Sequence, residues 1–109
     1  MKIRRKYNNW IPQLLNVGAI TLYPYILFAR SVTGLKGNNG DYAIQLFKHE
    51  YIHIEQVRKM GWFKFYFLYL VESAKNGYED NKYEVEAYAR QNEQFTDEEQ
   101  KAFNEDFGL

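Results

Sequence analysis

His49-Glu50-Tyr51-Ile52-His53, an H-E-x-x-H sequence, stands inside residues 41–60, where apolar side chains recur at helical spacing. At about 100° per residue, positions 49, 50 and 53 fall within roughly a third of the helical circumference, so both imidazoles and the carboxylate point the same way. The polar strip of this helix is expected at Lys48, Glu55 and Lys59, the last two spaced as an i,i+4 pair. The motif residues therefore lie inward, flanked by Leu46, Val57 and Met60. Burying two imidazoles and a carboxylate is costly unless something satisfies them. A metal does so: two neutral nitrogens hold Zn²⁺, an open position takes water, and the carboxylate accepts the water's proton. His49 and His53 are the chain's only histidines, so its whole supply sits within about one helical turn.

Upstream of this helix, residues 17–22 and 25–29 are rich in β-branched and aromatic side chains, and the Tyr23-Pro24 step between them reads as the turn of a hairpin. Within residues 1–16, Trp10, Ile11, Leu14 and Leu15 are expected to form a short apolar turn over the core. Residues 31–40, with glycines at 34, 37 and 40, predict a loop, after which Asp41 offers an N-cap oxygen. Downstream, Gly61 is placed to end the H-E-x-x-H helix, and an almost wholly apolar helix over 63–76, expected to serve packing, stops at Gly77. Residues 78–81 connect it to a third helix over 82–95, and Thr96-Asp97-Glu98-Glu99 reads as the capped start of a short acidic helix. These elements predict an α+β fold, one domain over residues 1–109, with an N-terminal hairpin packed on a mainly helical core.

Ten Tyr and eight Phe make this a core of rings rather than of aliphatic chains. Basic and acidic residues number 14 each, which argues against the broad basic surface of a nucleic-acid binder. The basic run Lys2-Ile3-Arg4-Arg5-Lys6 and the acidic pairs near the other end read as solvated termini. No cysteine is present, which removes thiolate metal sites and disulfides. The longest apolar run, 65–71, is far short of the ~20 residues that span a bilayer. Asn8-Asn9 and Pro12 interrupt any secretory h-region, so an untargeted, cytoplasmic protein is expected.

Tetrahedral zinc with two histidines and a water needs one more protein ligand, and with no third His and no Cys it must be a carboxylate. Glu84 and Glu86 both lie on the third helix, about 160° apart, so only one can face the ion. Glu86 has the drier flanks, Val85 and Ala89 on one side and Tyr83 and Ala87 on the other, whereas Glu84 shares its sector with Asp80 and Gln91. Glu86 is therefore the expected third ligand, against the alternative that it simply pairs with Arg90 at i+4.

His49-Glu50-x-x-His53 followed, after an intervening helix, by the Glu86-Ala87 step resembles the gluzincin metallopeptidases, and the layout over residues 17–95 is similar to the minimal single-domain members. The resemblance implies a zincin-like core, Zn²⁺ as cofactor, His49, His53 and Glu86 as ligands, and Glu50 as catalytic base. Gluzincins often carry an aspartate one turn after the ligand glutamate, where this chain has Arg90. They commonly use a His or Tyr to stabilise the oxyanion, for which Tyr78 and Tyr83 are nearest in sequence.

The expected function is a zinc-dependent peptidase acting on a peptide or protein, with the hairpin edge offered to an extended substrate. The alternative is a non-catalytic structural or interaction protein that keeps a closed metal site on the same scaffold. An ion sealed by a fourth protein ligand, rather than left open to water, separates the two. The acidic tail, residues 97–109, is long enough to fold back and place a carboxylate on the ion.

Overall fold

The expected hairpin forms. In the computed structural model, which describes residues 2–38 and 40–108, β2 (Ala19–Leu22) pairs antiparallel with β3 (Tyr25–Phe28) around Tyr23-Pro24. Met1, Asn39 and Leu109 lie outside the described residues, so the expected loop at position 39 and the last residue of the acidic tail are not placed. A third strand, β1 (Arg4–Lys6), adds in parallel to the other side of β3, giving the order β1-β3-β2 and leaving β2 at an edge. The basic run is thus not simply a solvated terminus. Arg5 reaches Asp106 across the chain, and Ile3 beside it is buried.

Between β1 and β2, α1 (Trp10–Leu15) is capped by Asn9, yet only its Pro12 is buried, and Trp10, Leu14 and Leu15 are exposed rather than covering the core. The expected loop over 31–40 contains a helix, α2 (Val32–Asn38), which buries Leu35. Tertiary packing of Leu35 overrides the weak helix propensity of Gly34 and Gly37.

The H-E-x-x-H helix, α3 (Gly40–Met60), runs through the centre of the fold, and every residue from Phe47 to Ile54 is buried. Asp41 sits in its first turn, facing the positive end of the helix dipole. Gly61 at φ 85° turns the chain into α4 (Trp62–Asn76), and Gly77 at φ 79° ends that helix, both in backbone that side-chain-bearing residues rarely adopt. Asn81 caps α5 (Lys82–Arg90), which stops five residues short of the expected end; α6 (Asp97–Phe107) then begins with the expected capping box between Thr96 and Glu99.

Two ring-rich clusters sit on either side of α3. One joins Phe28 of the sheet, Phe47 and Tyr51 of α3, and Phe103 and Phe107 of α6; the other joins Val57, Phe65 and Tyr83. Lys48, expected on a wet strip, is buried and bonded to Glu99 of α6 at 2.6 Å. The architecture is mixed α+β, six helices and a three-stranded sheet among the described residues. No helix among them is long and apolar enough to cross a membrane.

Candidate metal centre

α3 delivers His49, Glu50 and His53 to one buried face, each no more than 5% exposed. α5 meets that face through Tyr83, Glu84 and Ala87, the three residues of the helix that are buried. The carboxylate reaching the imidazoles is therefore Glu84: its Oε1 lies 3.0 Å from His49 Nε2 and 3.2 Å from His53 Nε2. Among the described residues these form the one group of three His, Cys, Asp or Glu placed to hold a metal ion.

This corrects the expectation for Glu86, whose carboxylate is not brought to the imidazoles. It accepts from Gln56 Nε2 at 2.8 Å and from Arg90 at 2.8 Å, the latter being the alternative pairing weighed from sequence. α5 is rotated relative to the reading that Glu84's polar sector was solvated. Gln91, counted as a sign of water, is 3.0 Å from His49 Nδ1 and supports the site.

The hydrogen bonds fix which imidazole nitrogen faces inward. Both amide hydrogens of Gln56 are used, on the Tyr83 carbonyl and on Glu86, so its Oε1 accepts from His53 Nδ1 at 2.8 Å. Gln91 Oε1 faces His49 Nδ1 at 3.0 Å and can accept from it. With the Nδ1 atoms turned to the glutamines, both Nε2 atoms and a Glu84 oxygen converge on one dry point, where protons on the Nε2 atoms bridge them to the carboxylate when no cation does. Two imidazoles and one carboxylate are also a common donor set for catalytic zinc, so the residues present fit the ion.

The titration behaviour follows from this convergence. Burial pushes the His53 pKa down, but Glu84's hydrogen bond and the charges of Glu50 and Glu84 outweigh it and hold it up at about 9. Burial alone would raise the Glu84 pKa; hydrogen bonds from the two histidines and Tyr69 instead hold it well below the usual carboxylate range. Glu50 moves up, because its burial exceeds the opposing effects of the histidines and of Thr21. Thr21 Oγ1 donates to Glu50 Oε1 at 2.8 Å, fixing one carboxylate oxygen to the edge strand β2.

Two cavities flank the group and meet at Glu50. One of about 310 Å³, on the His49 side, has Gln45, Gln91, Tyr42 and Tyr88 in its wall; the other, about 370 Å³ on the His53 side, is lined by Ile20, Leu22, Phe65, Tyr66 and Leu70. Ala19 of β2 and Tyr78 line both. Tyr83, the other tyrosine singled out from sequence, is buried with its ring 5.3 Å from Phe65 and lines neither. Among the described residues, the acidic tail contributes no carboxylate to this group: Glu99 is held by Lys48, Asp106 by Arg5 and Tyr7, and Glu98 by Arg58.

Comparison of the chain with protein-family models, with curated proteins and with solved structures found no match in any of the three.

Proposed function

We propose that the chain is a zinc-dependent peptidase of the gluzincin type, a zincin-like arrangement in which His49, His53 and Glu84 hold the ion and Glu50 is the base. The observation that carries this reading is the convergence of both imidazole Nε2 atoms and a Glu84 oxygen on one buried point beside Glu50, with a cavity on each side of it. Zinc bound there would supply a Lewis acid for the peptide carbonyl and acidify the attacking water.

The chain's own residues supply the rest. Thr21 holds Glu50 Oε1, which leaves Oε2 to take a proton from the attacking water and release it to the departing amine. Burial raises the Glu50 pKa and so makes it a better proton acceptor than an exposed carboxylate. Tyr78 is the donor proposed for the developing oxyanion. It borders both cavities, and its partial burial, together with the nearby Glu84 charge, keeps the phenol protonated. Strand alternation turns Ala19 and Thr21 to the outer edge of β2, and Tyr66 already occupies the Thr21 carbonyl. Ala19 is thus the position at which an extended peptide would pair as it crosses from one cavity to the other.

Cleavage of a mixed peptide pool by zinc-loaded wild type, followed by mass spectrometry, tests the reading together with Glu50→Gln. The variant is expected to retain zinc and lose cleavage, since glutamine keeps the shape and cannot accept the proton. Equal turnover by the two proteins removes Glu50 from the mechanism.

A further inference from the structure

The apolar cavity beside His53 does not end at its own wall. Leu70 lines it and is also 68% exposed, and from Leu70 an uncovered stripe continues back along α4 through Phe67 and Phe63 to Trp62, which are 58%, 70% and 63% exposed. Positions 63, 67 and 70 share one helical face, and the Phe63 and Phe67 rings stack with centroids 6.5 Å apart. Only Phe65 of this helix is fully buried, so the expectation that α4 serves packing accounts for one face and leaves the other without a role.

We infer that this stripe is a track for the apolar flank of the substrate, so that the site acts on polypeptide segments carrying a run of bulky apolar residues next to the cleaved bond. The inference rests on the peptidase reading above and adds the substrate class. Its ground is continuity: the stripe opens into the cavity at Leu70, and that cavity reaches His53, Glu50 and Glu84. From Leu70 to Phe63 is about 10 Å along the helix axis at 1.5 Å per residue, the length of roughly three residues of extended chain. A substrate would thus be gripped for about three residues beyond the cavity. The opposite cavity has the amides of Gln45 and Gln91 in its wall, so the longer apolar run is assigned to the His53 side.

Other occupants fit less well. Large aromatic side chains carry on the order of 200 Å² each, so the stripe exposes roughly 500 Å², below the ~800 Å² per partner of a standard interface. Lys64 and Lys75 on this helix, set against Glu72 and followed by Glu79 and Asp80, fall short of the cluster of about four to eight basic residues that draws a segment to an anionic lipid surface.

The test uses zinc-loaded Glu50→Gln, so that binding is read without turnover. A twelve-residue peptide bearing alternating Leu and Phe is compared with one bearing Ser and Gln at those places, and with a tripeptide holding a single central Phe. The long apolar peptide is expected to bind about tenfold or more tightly than its polar counterpart. Adding Phe63→Glu and Phe67→Glu, both at exposed positions, should abolish that preference while leaving the tripeptide's affinity and the thermal midpoint in place. Equal binding of the two long peptides, or a preference that survives both substitutions, overturns the track. So does a wild-type dimer that Phe67→Glu dissociates in sedimentation, or capture by phosphatidylcholine–phosphatidylglycerol vesicles that the same substitution abolishes. Wild-type zinc uptake and cleavage are measured alongside. Protein that takes zinc and cleaves without apolar preference loses only the track, whereas preference without zinc or cleavage retains the track and overturns the peptidase reading.

Discussion

Gln56 determines which nitrogen of His53 is available, and Glu86 helps to determine how Gln56 is oriented. This chain of bonds places Glu86 behind Gln56, which itself stands behind His53, and orders the expected effects of substitution. In competition with a chelator, Glu84→Ala should weaken zinc by more than the roughly 10–100-fold typical of losing a partner that merely orients a ligand. Gln56→Leu should fall within that range, and Glu86→Ala, acting only through Gln56, should cost about tenfold or less. A large loss at Glu86 with Glu84→Ala unaffected would mean that α5 presents its other face. His53 adds a pH dependence. Without an ion it carries a proton below about pH 9, and that proton competes with zinc for Nε2. Apparent zinc affinity should therefore climb about tenfold per pH unit towards 9 and flatten above it, with one proton released per ion. Affinity that stays flat from pH 6 to 9 would show that His53 is not protonated in the metal-free protein.

At the scale of elements, α6 is part of the core rather than a regulatory tail. Ala102, Phe103 and Phe107 are buried, Phe103 against Phe47 at 5.2 Å, and Glu99 neutralises Lys48 in the middle of α3. Removing the residues after 95 should accordingly unfold the protein rather than activate it, seen as loss of a cooperative thermal transition; a folded truncation with raised activity would show instead that the tail blocks the site. Lys48→Ala leaves Glu99 buried with the Thr96 N–H donating to it and no countercharge from Lys48, and should lower stability by about 3 kcal/mol in urea unfolding. A change below about 0.5 kcal/mol would place that pair in a solvated position instead.

Across the whole molecule, the sequence carried the parts that local rules govern and missed those set by packing. The H-E-x-x-H helix, the hairpin at Tyr23-Pro24, α4 between Gly61 and Gly77, and the Thr96 capping box all follow from periodicity and end signals within a few residues. β1 escaped notice because three basic residues have no strand pattern of their own and are held by the backbone of β3 and by Asp106. α2 lay hidden behind its glycines, and Leu35 was the one residue that betrayed a buried face. The carboxylate that meets the imidazoles is hard to read from sequence for a more general reason. The side chains that orient an ion's ligands are polar, so Gln91 and Gln56 make a dry site look like a wet one in sequence. Glu84's true neighbours on the helix, Tyr83 and Ala87, were the available sign.

Folding brings His49, His53 and Glu84 together, and an ion bound there should stabilise the fold in return. A titration of untagged, metal-stripped protein with zinc at neutral pH, followed calorimetrically and repeated as thermal unfolding, tests the central claim most directly. The account predicts one zinc per chain and a midpoint that rises with free zinc as binding linkage requires. Wild-type protein that is folded, takes up far less than one zinc per chain and melts at the same temperature with and without it would contradict the account.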